Sequence, residues 1–456
     1  WNTYPTFSQY DSIMHTFASL YPSLCRLDTI GMSINGKPVL VLKISDNCQV
    51  DEQEPEVFYS STIHGDETAG FILMLRLADY LLRNYGIDNR VTRLVDNLEI
   101  WINPLANPDG TYRNGDEITS PVRFNASGYD LNRNFPDPAG PSVTRQKETI
   151  DMMRFMSERR FVISANFHSG AEVINYPWDR WSFEHADDDW FYTVSREWAD
   201  TVHLHAPAGY MDFLDNGVTR GYDWYSIFGG RQDYVAYNLH GREITVELDD
   251  NHITPASRLD DLWEYNYRSM LGYLENALYG IRGMVSDKYT GKPLPALVFI
   301  EGHDKDNSHA LCDTASGIFT RLISDGIYDL SISVAGYRDT VIRNINVVKG
   351  QQTYMNIEME QLVTPPDPEK PLVPLFYPNP GRGEINVLLP EGLEGSLDVR
   401  VFGLSGKLLL SSVFEAVEEQ VLKLDLSRLG NGEYIVLFKS LSTGRSAAGK
   451  VVITLL

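Results

Sequence analysis

The hydrophobic pattern of the chain changes at Gly280, and this change limits the folds that the chain can adopt. Before it, short apolar runs alternate with longer segments of helical period, which is typical of α/β domains. After it, short strand-like segments follow one another without a helical period, which indicates all-β sandwiches. The sequence therefore predicts an α/β domain, with a mixed central sheet flanked by helices, followed by two small all-β sandwich domains.

A proline-rich segment separates the two predicted sandwiches. Residues 364–371 contain four prolines, and such a composition favours a stiff, extended linker. The predicted organisation is an α/β domain at 1–279, a β-sandwich at 280–361, a linker at 362–373 and a second β-sandwich at 374–456.

Charge narrows the range of partners. The chain carries 62 acidic against 39 basic residues, a net charge of −23, which argues against a nucleic-acid partner. Acidity favours cationic substrates, although it serves solubility equally well. The three cysteines form neither a disulfide framework nor a cysteine-rich zinc site, and no apolar run reaches the length of a membrane span.

One pairing of imidazole and carboxylate stands out by its position. A His followed three residues later by an acid occurs at His64/Glu67, His185/Asp188, His240/Glu243 and His303/Asp306. Spacing alone indicates solvated surface for each pair. However, His64 and Glu67 follow the predicted strand Val57–Ile63, and open α/β sheets place their sites at such strand ends. His168 ends another predicted strand in the same way. Two His and one Glu would leave a fourth zinc position open, as a catalytic site requires.

Further motifs follow in a fixed order along the first 280 residues. They are His64-Gly-Asp-Glu67, Arg123 nine residues before Asn132, Asp130-Leu-Asn-Arg-Asn-Phe-Pro136, His168-Ser-Gly, Tyr176-Pro-Trp-Asp179, Trp224-Tyr225, Gly230-Arg-Gln-Asp233 and Glu243-Ile-Thr-Val-Glu247. With this set the chain resembles the funnelin family of zinc carboxypeptidases, over about residues 5–280. It is most similar to the regulatory branch, which removes C-terminal Lys or Arg.

The resemblance implies a catalytic centre with one zinc ion per chain. His64, Glu67 and His168 resemble its ligands. Glu247 resembles the general base that takes a proton from the zinc-activated water and passes it to the leaving amine. The strand pattern supports this role, because Glu247 shares one face with residues 243 and 245. Arg123 resembles the cation that polarises the scissile carbonyl.

The resemblance also implies a substrate pocket. Asn132 and Arg133 resemble the clamp for the free C-terminal carboxylate, and Tyr225 resembles the tyrosine that covers the substrate. Asp179, eleven residues after His168, resembles the acid that pairs with a basic side chain, with Gln232 as its polar neighbour.

Alternatives and departures accompany the pocket assignment. The alternatives are an ordinary polar turn at Asp130–Pro136 with Arg133 in a surface salt bridge, a turn cap for Asp179 after Pro177, and a core or rim aromatic role for Tyr225. The run Asp249–Pro255 and the residue Ser169 depart from the usual pattern of the branch, which leaves loop shape and pocket size open.

The two predicted sandwiches carry resemblances of their own. Residues 281–360 resemble the transthyretin-like domain that follows the catalytic unit in the regulatory branch, through Gly283–Asp287 and Gly336-Tyr337. The segment Asp304–Asn307 there suits a cation or, more simply, a solvated loop. Residues 374–456 resemble the C-terminal sorting domain of the type IX secretion system of Bacteroidetes, through Tyr377-Pro-Asn-Pro380 and the Lys450-Val-Val-Ile terminus. That resemblance implies the secretion machinery as a partner and export to the cell surface or medium.

Three hypotheses follow from the sequence. The first is a secreted zinc metallocarboxypeptidase that acts on peptides or proteins with C-terminal Lys or Arg. The second keeps the zinc but acts on cell-wall peptides or N-acyl amino acids, which a substrate screen would reveal. The third is an inactive surface binding module, which Arg123, Glu247 and the full ligand set argue against.

Overall fold

An eight-stranded mixed sheet forms the centre of the first 280 residues in the computed structural model of the chain. The structure describes residues 1–141, 143–362, 372–390, 393, 395–417 and 421–454. The strands of this sheet are β1 (Cys25–Met32), β2 (Pro38–Ile44), β3 (Glu56–Ser61), β4 (Glu99–Asn103), β5 (Phe161–His168), β6 (Ala171–Tyr176), β7 (Val218–Arg220) and β8 (Arg242–Asp249).

The strand order β1-β2-β4-β3-β5-β8-β6-β7 brings three strand ends to one edge. Strands β3, β5 and β8 run parallel to one another, so their carboxyl ends meet at the same side of the sheet. The register places Ser61 opposite Phe167 and His168 opposite Glu247. The loops that follow β3 and β5 are therefore neighbours, and β8 delivers Glu247 beside them.

Helices cover both faces of the sheet. They are α1 (Phe7–Leu20), α2 (Ala69–Asn84), α3 (Asn89–Val95), α4 (Pro108–Thr111), α5 (Lys147–Ser157), α6 (Asp188–His203), α7 (Phe213–Gly217), α8 (Gly221–Trp224), α9 (Arg231–Asn238) and α10 (Leu259–Glu275). Alternation along β3 shows how they are arranged: Val57 and Tyr59 pack with α2 and α10, whereas Phe58 packs with α5 and α9. Each face thus has its own apolar core, and the predicted mixed sheet flanked by helices is confirmed.

Seven elements of this part were not predicted, namely α3, α4, α7, α8, α9, β6 and β7, and two of them, α9 and β6, show why. Helix α9 has only eight residues, and even its polar residues Arg231, Gln232 and Asp233 are buried, so no polar face gives it a helical period. Strand β6 is buried along its whole length, including Glu172 and Asn175, and follows directly on the turn after β5. Tertiary contacts, more than the local sequence pattern, therefore determine that these two segments form a helix and a strand.

The segment after Gly280 consists of strands. They are β9 (Gly280–Asp287), β10 (Leu297–Ile300), β11 (Ala310–Leu311), β12 (Ile318–Arg321), β13 (Gly326–Ser333), β14 (Thr340–Val347) and β15 (Gln352–Met359). They form a four-stranded sheet, β11-β10-β13-β14, and a three-stranded sheet, β12-β9-β15. The predicted first sandwich of small sheets is therefore present.

The strands nearest the C-terminus form a second pair of sheets. They are β16 (Leu375–Tyr377), β17 (Glu384–Leu388), β18 (Gly395–Gly403), β19 (Leu408–Val417), β20 (Val421–Asp425), β21 (Gly432–Ser440) and β22 (Ser446–Ile453). Their orders are β16-β17-β20 and β19-β18-β21-β22, around an apolar core of their own.

The chain divides into two compact units. The first contains Trp1–Ser333 and Asp339–Glu358, and the second contains Val334–Arg338 and Met359–Leu456. The α/β part and nearly all of the first sandwich thus belong to one unit, while the domain boundaries stay predictions. The predicted linker falls largely on residues 363–371, which lie outside the described residues. Among the helices that the structure describes, none combines the length and the apolar character needed to cross a membrane.

Candidate active site

Three side chains converge where β3 and β5 end. The Nδ1 atoms of His64 and His168 lie 3.1 Å apart. Glu67 Oε1 lies 2.7 Å from His64 Nδ1, and Glu67 Oε2 lies 2.6 Å from His168 Nδ1. Each side chain is only 3% exposed. Three potential metal-binding side chains therefore converge on one small volume.

The donor set fits a zinc ion. Two imidazole nitrogens and one carboxylate are the ligands of many catalytic zinc sites, which keep one position open for water or substrate. Burial alone would raise the pKa of Glu67, but the two imidazoles hold that pKa below its usual range. Burial lowers the pKa of His168 to about 4. These two shifts favour the ionised carboxylate and the neutral imidazole that bind a metal. Burial alone would lower the pKa of His64, but Glu67 and Asp130 raise it when no metal is bound.

Each histidine is oriented through its other nitrogen. Asp130 Oδ1 lies 3.1 Å from His64 Nε2, and Asn166 Nδ2 lies 2.8 Å from His168 Nε2. An imidazole that binds metal through Nδ1 carries its proton on Nε2 and needs an acceptor there. Rotating the Asn166 amide would supply one, because its carbonyl oxygen has no partner among the described residues.

Sequence reasoning gave these two orienting residues no role. A period-two signal was nevertheless available for Asn166, because it lies two positions before His168 on the same face of β5. Asp130 was noted only as part of a motif.

The backbone between His64 and Glu67 depends on a glycine. A Cβ atom on Gly65 would lie 2.4 Å from the carbonyl carbon of Gly110, in the short helix α4. Only glycine allows the loop to pass this close to that backbone. The close approach fixes the loop, and with it the separation of His64 and Glu67.

Glu247 lies beside this cluster. It pairs in register with His168, and its side chain is 8% exposed. Its Oε2 atom is buried without a hydrogen-bond partner in the described part of the chain. Burial, together with the nearby Glu67, raises its pKa well above the usual value. Glu247 is therefore placed to exchange a proton with a group in the site.

Three cationic or amide side chains lie along the same cleft. Arg123 donates to Asp130 Oδ2 over 2.9 Å and to Glu67 Oε1 over 3.2 Å. Asn132 accepts a hydrogen bond from the backbone N–H of Arg231 at 2.9 Å, which leaves its amide nitrogen as a donor for a ligand. Arg133 donates to the carbonyl of Asn132 over 3.0 Å. These groups present hydrogen-bond donors suited to an anionic ligand.

Asp179 forms a buried anionic end to the cleft. Its side chain is 3% exposed, and its Oδ1 accepts a hydrogen bond from Gln232 Nε2 at 2.9 Å. Thr245 Oγ1 donates to Gln232 Oε1 over 2.9 Å, which turns the amide nitrogen towards Asp179. Burial and the neighbouring Asp233 raise the pKa of Asp179 well above its usual value. A cationic group would relieve this cost.

A second glycine makes room for this carboxylate. A Cβ on Gly221, the first residue of α8, would lie 1.8 Å from Asp179 Oδ1. The side chain of Asp179 therefore occupies space that any other residue at position 221 would need.

The predicted site residues surround one cleft. All of them line it except Gln232, which lies behind Asp179. Tyr225 is at the edge, 44% exposed. His252 also lines the cleft. It lies in the run Asp249–Pro255, which differs from the usual pattern of the branch, and it was not predicted as a site residue.

Comparison with known proteins gives two family matches. Residues 10–269 match the family model described as zinc carboxypeptidase, and residues 375–454 match the one described as secretion system C-terminal sorting domain.

Individual relatives agree with the first match. Human carboxypeptidase D is 33% identical over 364 residues, covering 75% of this chain but 26% of its own length. Mouse carboxypeptidase M is 30% identical over 392 residues, covering 80% of this chain and 88% of its own. The chain therefore spans about a quarter of human carboxypeptidase D and most of mouse carboxypeptidase M.

A solved structure shows the same fold. The crystal structure of carboxypeptidase A from Helicoverpa armigera superposes with a TM-score of 0.53 at 20% identity, covering 60% of this chain and 74% of the other. The α/β part is thus carboxypeptidase-like in fold.

Proposed function

The chain belongs to the zinc carboxypeptidase family, and we propose that it hydrolyses the C-terminal peptide bond of peptides that end in Lys or Arg. The observation that carries the preference is Asp179, a carboxylate buried in the same cleft as the His64–Glu67–His168 cluster. An ionised carboxylate at the end of a pocket selects a cationic side chain, because any neutral one would leave it unpaired.

The residues of the cleft have separate roles in the reaction. A zinc ion held by His64, Glu67 and His168 would supply a Lewis acid that polarises the scissile carbonyl and activates a water molecule. Glu247 takes the proton of the attacking water and passes it to the leaving amine nitrogen. Arg123 donates hydrogen bonds to the carbonyl oxygen as negative charge develops there.

The other donors restrict the enzyme to chain ends. The guanidinium of Arg133 and the amide nitrogen of Asn132 hold the free carboxylate of the last residue. Tyr225, exposed at the cleft edge, covers the bound substrate. A peptide without a free C-terminal carboxylate loses this attachment and is not cleaved.

Hydrolysis of two blocked dipeptides tests the proposal. We expect turnover of the dipeptide that ends in Arg, at least about a hundredfold faster than of the one that ends in Phe, because only the former pairs with Asp179. Treatment with a chelator is expected to abolish turnover, and added zinc to restore it.

Two results would count against specific parts of the proposal. Turnover that survives the chelator would exclude the metal, and faster hydrolysis of the Phe-ending dipeptide would exclude the basic preference. If neither dipeptide is cleaved but a cell-wall peptide or an N-acyl amino acid is, the second hypothesis, a zinc amidohydrolase that acts on those substrates, replaces the carboxypeptidase proposal.

The C-terminal match supports a proposal about location. We infer that residues 375–454, which match a secretion sorting domain, direct the chain to the cell surface or the medium through the type IX machinery. In a host with that machinery, the full chain is expected outside the cell, while a chain without residues 375–454 stays in the periplasm. Equal recovery of both outside the cell would refute this inference.

A further inference from the structure

A second charged cluster lies outside the cleft, around Asp187. This carboxylate is fully buried and accepts from Arg242 Nη2 over 2.6 Å and from Arg321 Nη2 over 2.7 Å. His303 Nε2 lies 2.9 Å from its Oδ1. Arg321 also pairs with Asp304. Both guanidinium groups are at most 3% exposed.

The cluster joins the first sandwich to the α/β part. Arg321 is the last residue of β12, and His303 and Asp304 follow β10. Arg242 is the first residue of β8, the strand that carries Glu247, and Asp187 precedes α6. Two charges from each part are therefore buried together within one unit of the fold.

This cluster does not suit a metal ion. Asp187, His303 and Asp304 offer three donor atoms close together. However, the guanidinium groups of Arg242 and Arg321 already bind the carboxylates, and they would repel a cation. Burial alone would raise the pKa of Asp187, but the two guanidinium groups hold that pKa well below its usual range. The cluster is therefore an ionic contact between the sandwich and the α/β part.

A packed route leads from Asp187 to the side-chain pocket. The backbone N–H of Asp187 donates to His185 Nδ1 over 2.9 Å. The His185 ring packs on the ring of Trp178, with centroids 4.7 Å apart. Trp178 is fully buried and directly precedes Asp179. A shift of Asp187 would therefore be transmitted to the carboxylate of the pocket.

The loop after β10 makes a second contact, with the segment before β8. Asn307 accepts from His240 Nδ1 at 2.8 Å and donates through Nδ2 to the carbonyl of Tyr237 over 3.0 Å. Tyr237 lies in α9, the helix whose second residue is Gln232. The sandwich thus contacts both segments that carry the pocket, the one with Asp179 and the one with Gln232.

We propose that Arg321, a residue of the sandwich, is a positioning residue for the side-chain pocket. By pairing with buried Asp187 it fixes the segment 178–187 and so the position of Asp179, without contacting the substrate. The role of the pocket rests on the function proposed above, whereas the coupling between Arg321 and the segment does not.

Kinetics and hydrogen exchange of Arg321→Met in the full chain test this proposal. We expect kcat/KM for an Arg-ending dipeptide to fall about tenfold, mainly through KM, while zinc content and kcat stay within about twofold. The ratio of kcat/KM for the Arg-ending dipeptide to kcat/KM for a Phe-ending dipeptide is expected to fall by the same factor. Without substrate, the amides of Asp179 and Arg180, which donate to Asp233, are expected to exchange faster than those of the β3–β5 core.

A matched control and a conservative variant decide between positioning and general damage. Arg343, also in the sandwich, forms its ion pairs among the described residues with Asp329 at 2.6 Å and Glu301 at 3.6 Å, both of the same sandwich, and Arg343→Met should change none of these values. Arg321→Lys keeps the charge and should fall between wild type and Arg321→Met. If Arg321→Met does not fold, the same measurements on Arg321→Lys decide.

Three outcomes would overturn the proposal. In the first, Arg321→Met leaves both KM and the hydrogen exchange of segment 178–187 unchanged. In the second, kcat/KM falls equally for both dipeptides. In the third, hydrogen exchange becomes faster evenly over the whole unit. If wild type cleaves neither dipeptide, the proposed function fails, but the exchange measurement still tests the positioning role.

Discussion

Replacing Glu247 by Gln is expected to lower kcat by about a thousandfold to ten-thousandfold. Gln has the same shape but cannot take the proton of the attacking water. KM should change little, because the groups that hold the substrate carboxylate and side chain are untouched. Steady-state rates on an Arg-ending dipeptide, combined with metal analysis of the purified variant, measure both effects.

Glu172 provides the matched control. It lies on β6, next to β8, and is 8% exposed, as Glu247 is. Its Oε1 accepts from Arg258 at 3.3 Å, and it does not line the cleft. Glu172→Gln should therefore stay within about threefold of wild type. A Glu247→Gln variant that keeps its zinc and its rate would remove Glu247 from the role of general base.

Replacing Asp179 by Asn is expected to reverse the substrate preference. For an Arg-ending dipeptide, kcat/KM should fall by about a hundredfold to a thousandfold, because the guanidinium group would enter a buried pocket without a counter-charge. Asn keeps the volume and can still accept from Gln232, so the pocket should keep its shape. Rates on dipeptides ending in Arg, Lys and Phe measure the change.

The Phe-ending dipeptide serves as the internal control for Asp179→Asn. Its hydrolysis should be unchanged or faster, because the variant no longer buries an unpaired carboxylate beside a neutral ring. A parallel loss for all three dipeptides would mean that Asp179 supports the structure of the cleft and does not select the substrate.

The sequence allowed prediction of the residues that follow strand ends. His64, Glu67 and His168 could be placed together because parallel strands deliver their carboxyl ends to one edge, and period-two alternation turned Glu247 towards them. The buried state of these polar groups was not predictable from local pattern. It depends on close approaches such as that of Gly65 to Gly110, which joins segments that are distant in sequence.

Contacts between remote polar residues escaped sequence reasoning. Asp187 and Arg321 are 134 positions apart, and each lies in a stretch that reads as an ordinary polar loop or strand end. Thr245 was noted only for the face it occupies, although its hydroxyl sets the orientation of Gln232. A hydrogen bond between side chains leaves no periodic signal, so such links appear only once the fold is known.

The ionic cluster at Asp187 limits how this chain could be recombined with its relatives. A chimera that joined residues 1–279 to a foreign sandwich would bury Asp187 and Arg242 against a surface that lacks Arg321 and Asp304. Exchange of the sandwich would succeed only if the new sandwich also carried Arg321 and Asp304. Otherwise Asp187 and Arg242 would have to be replaced together by apolar side chains. A recombination experiment should therefore transfer the first compact unit as a whole, and not the α/β part alone.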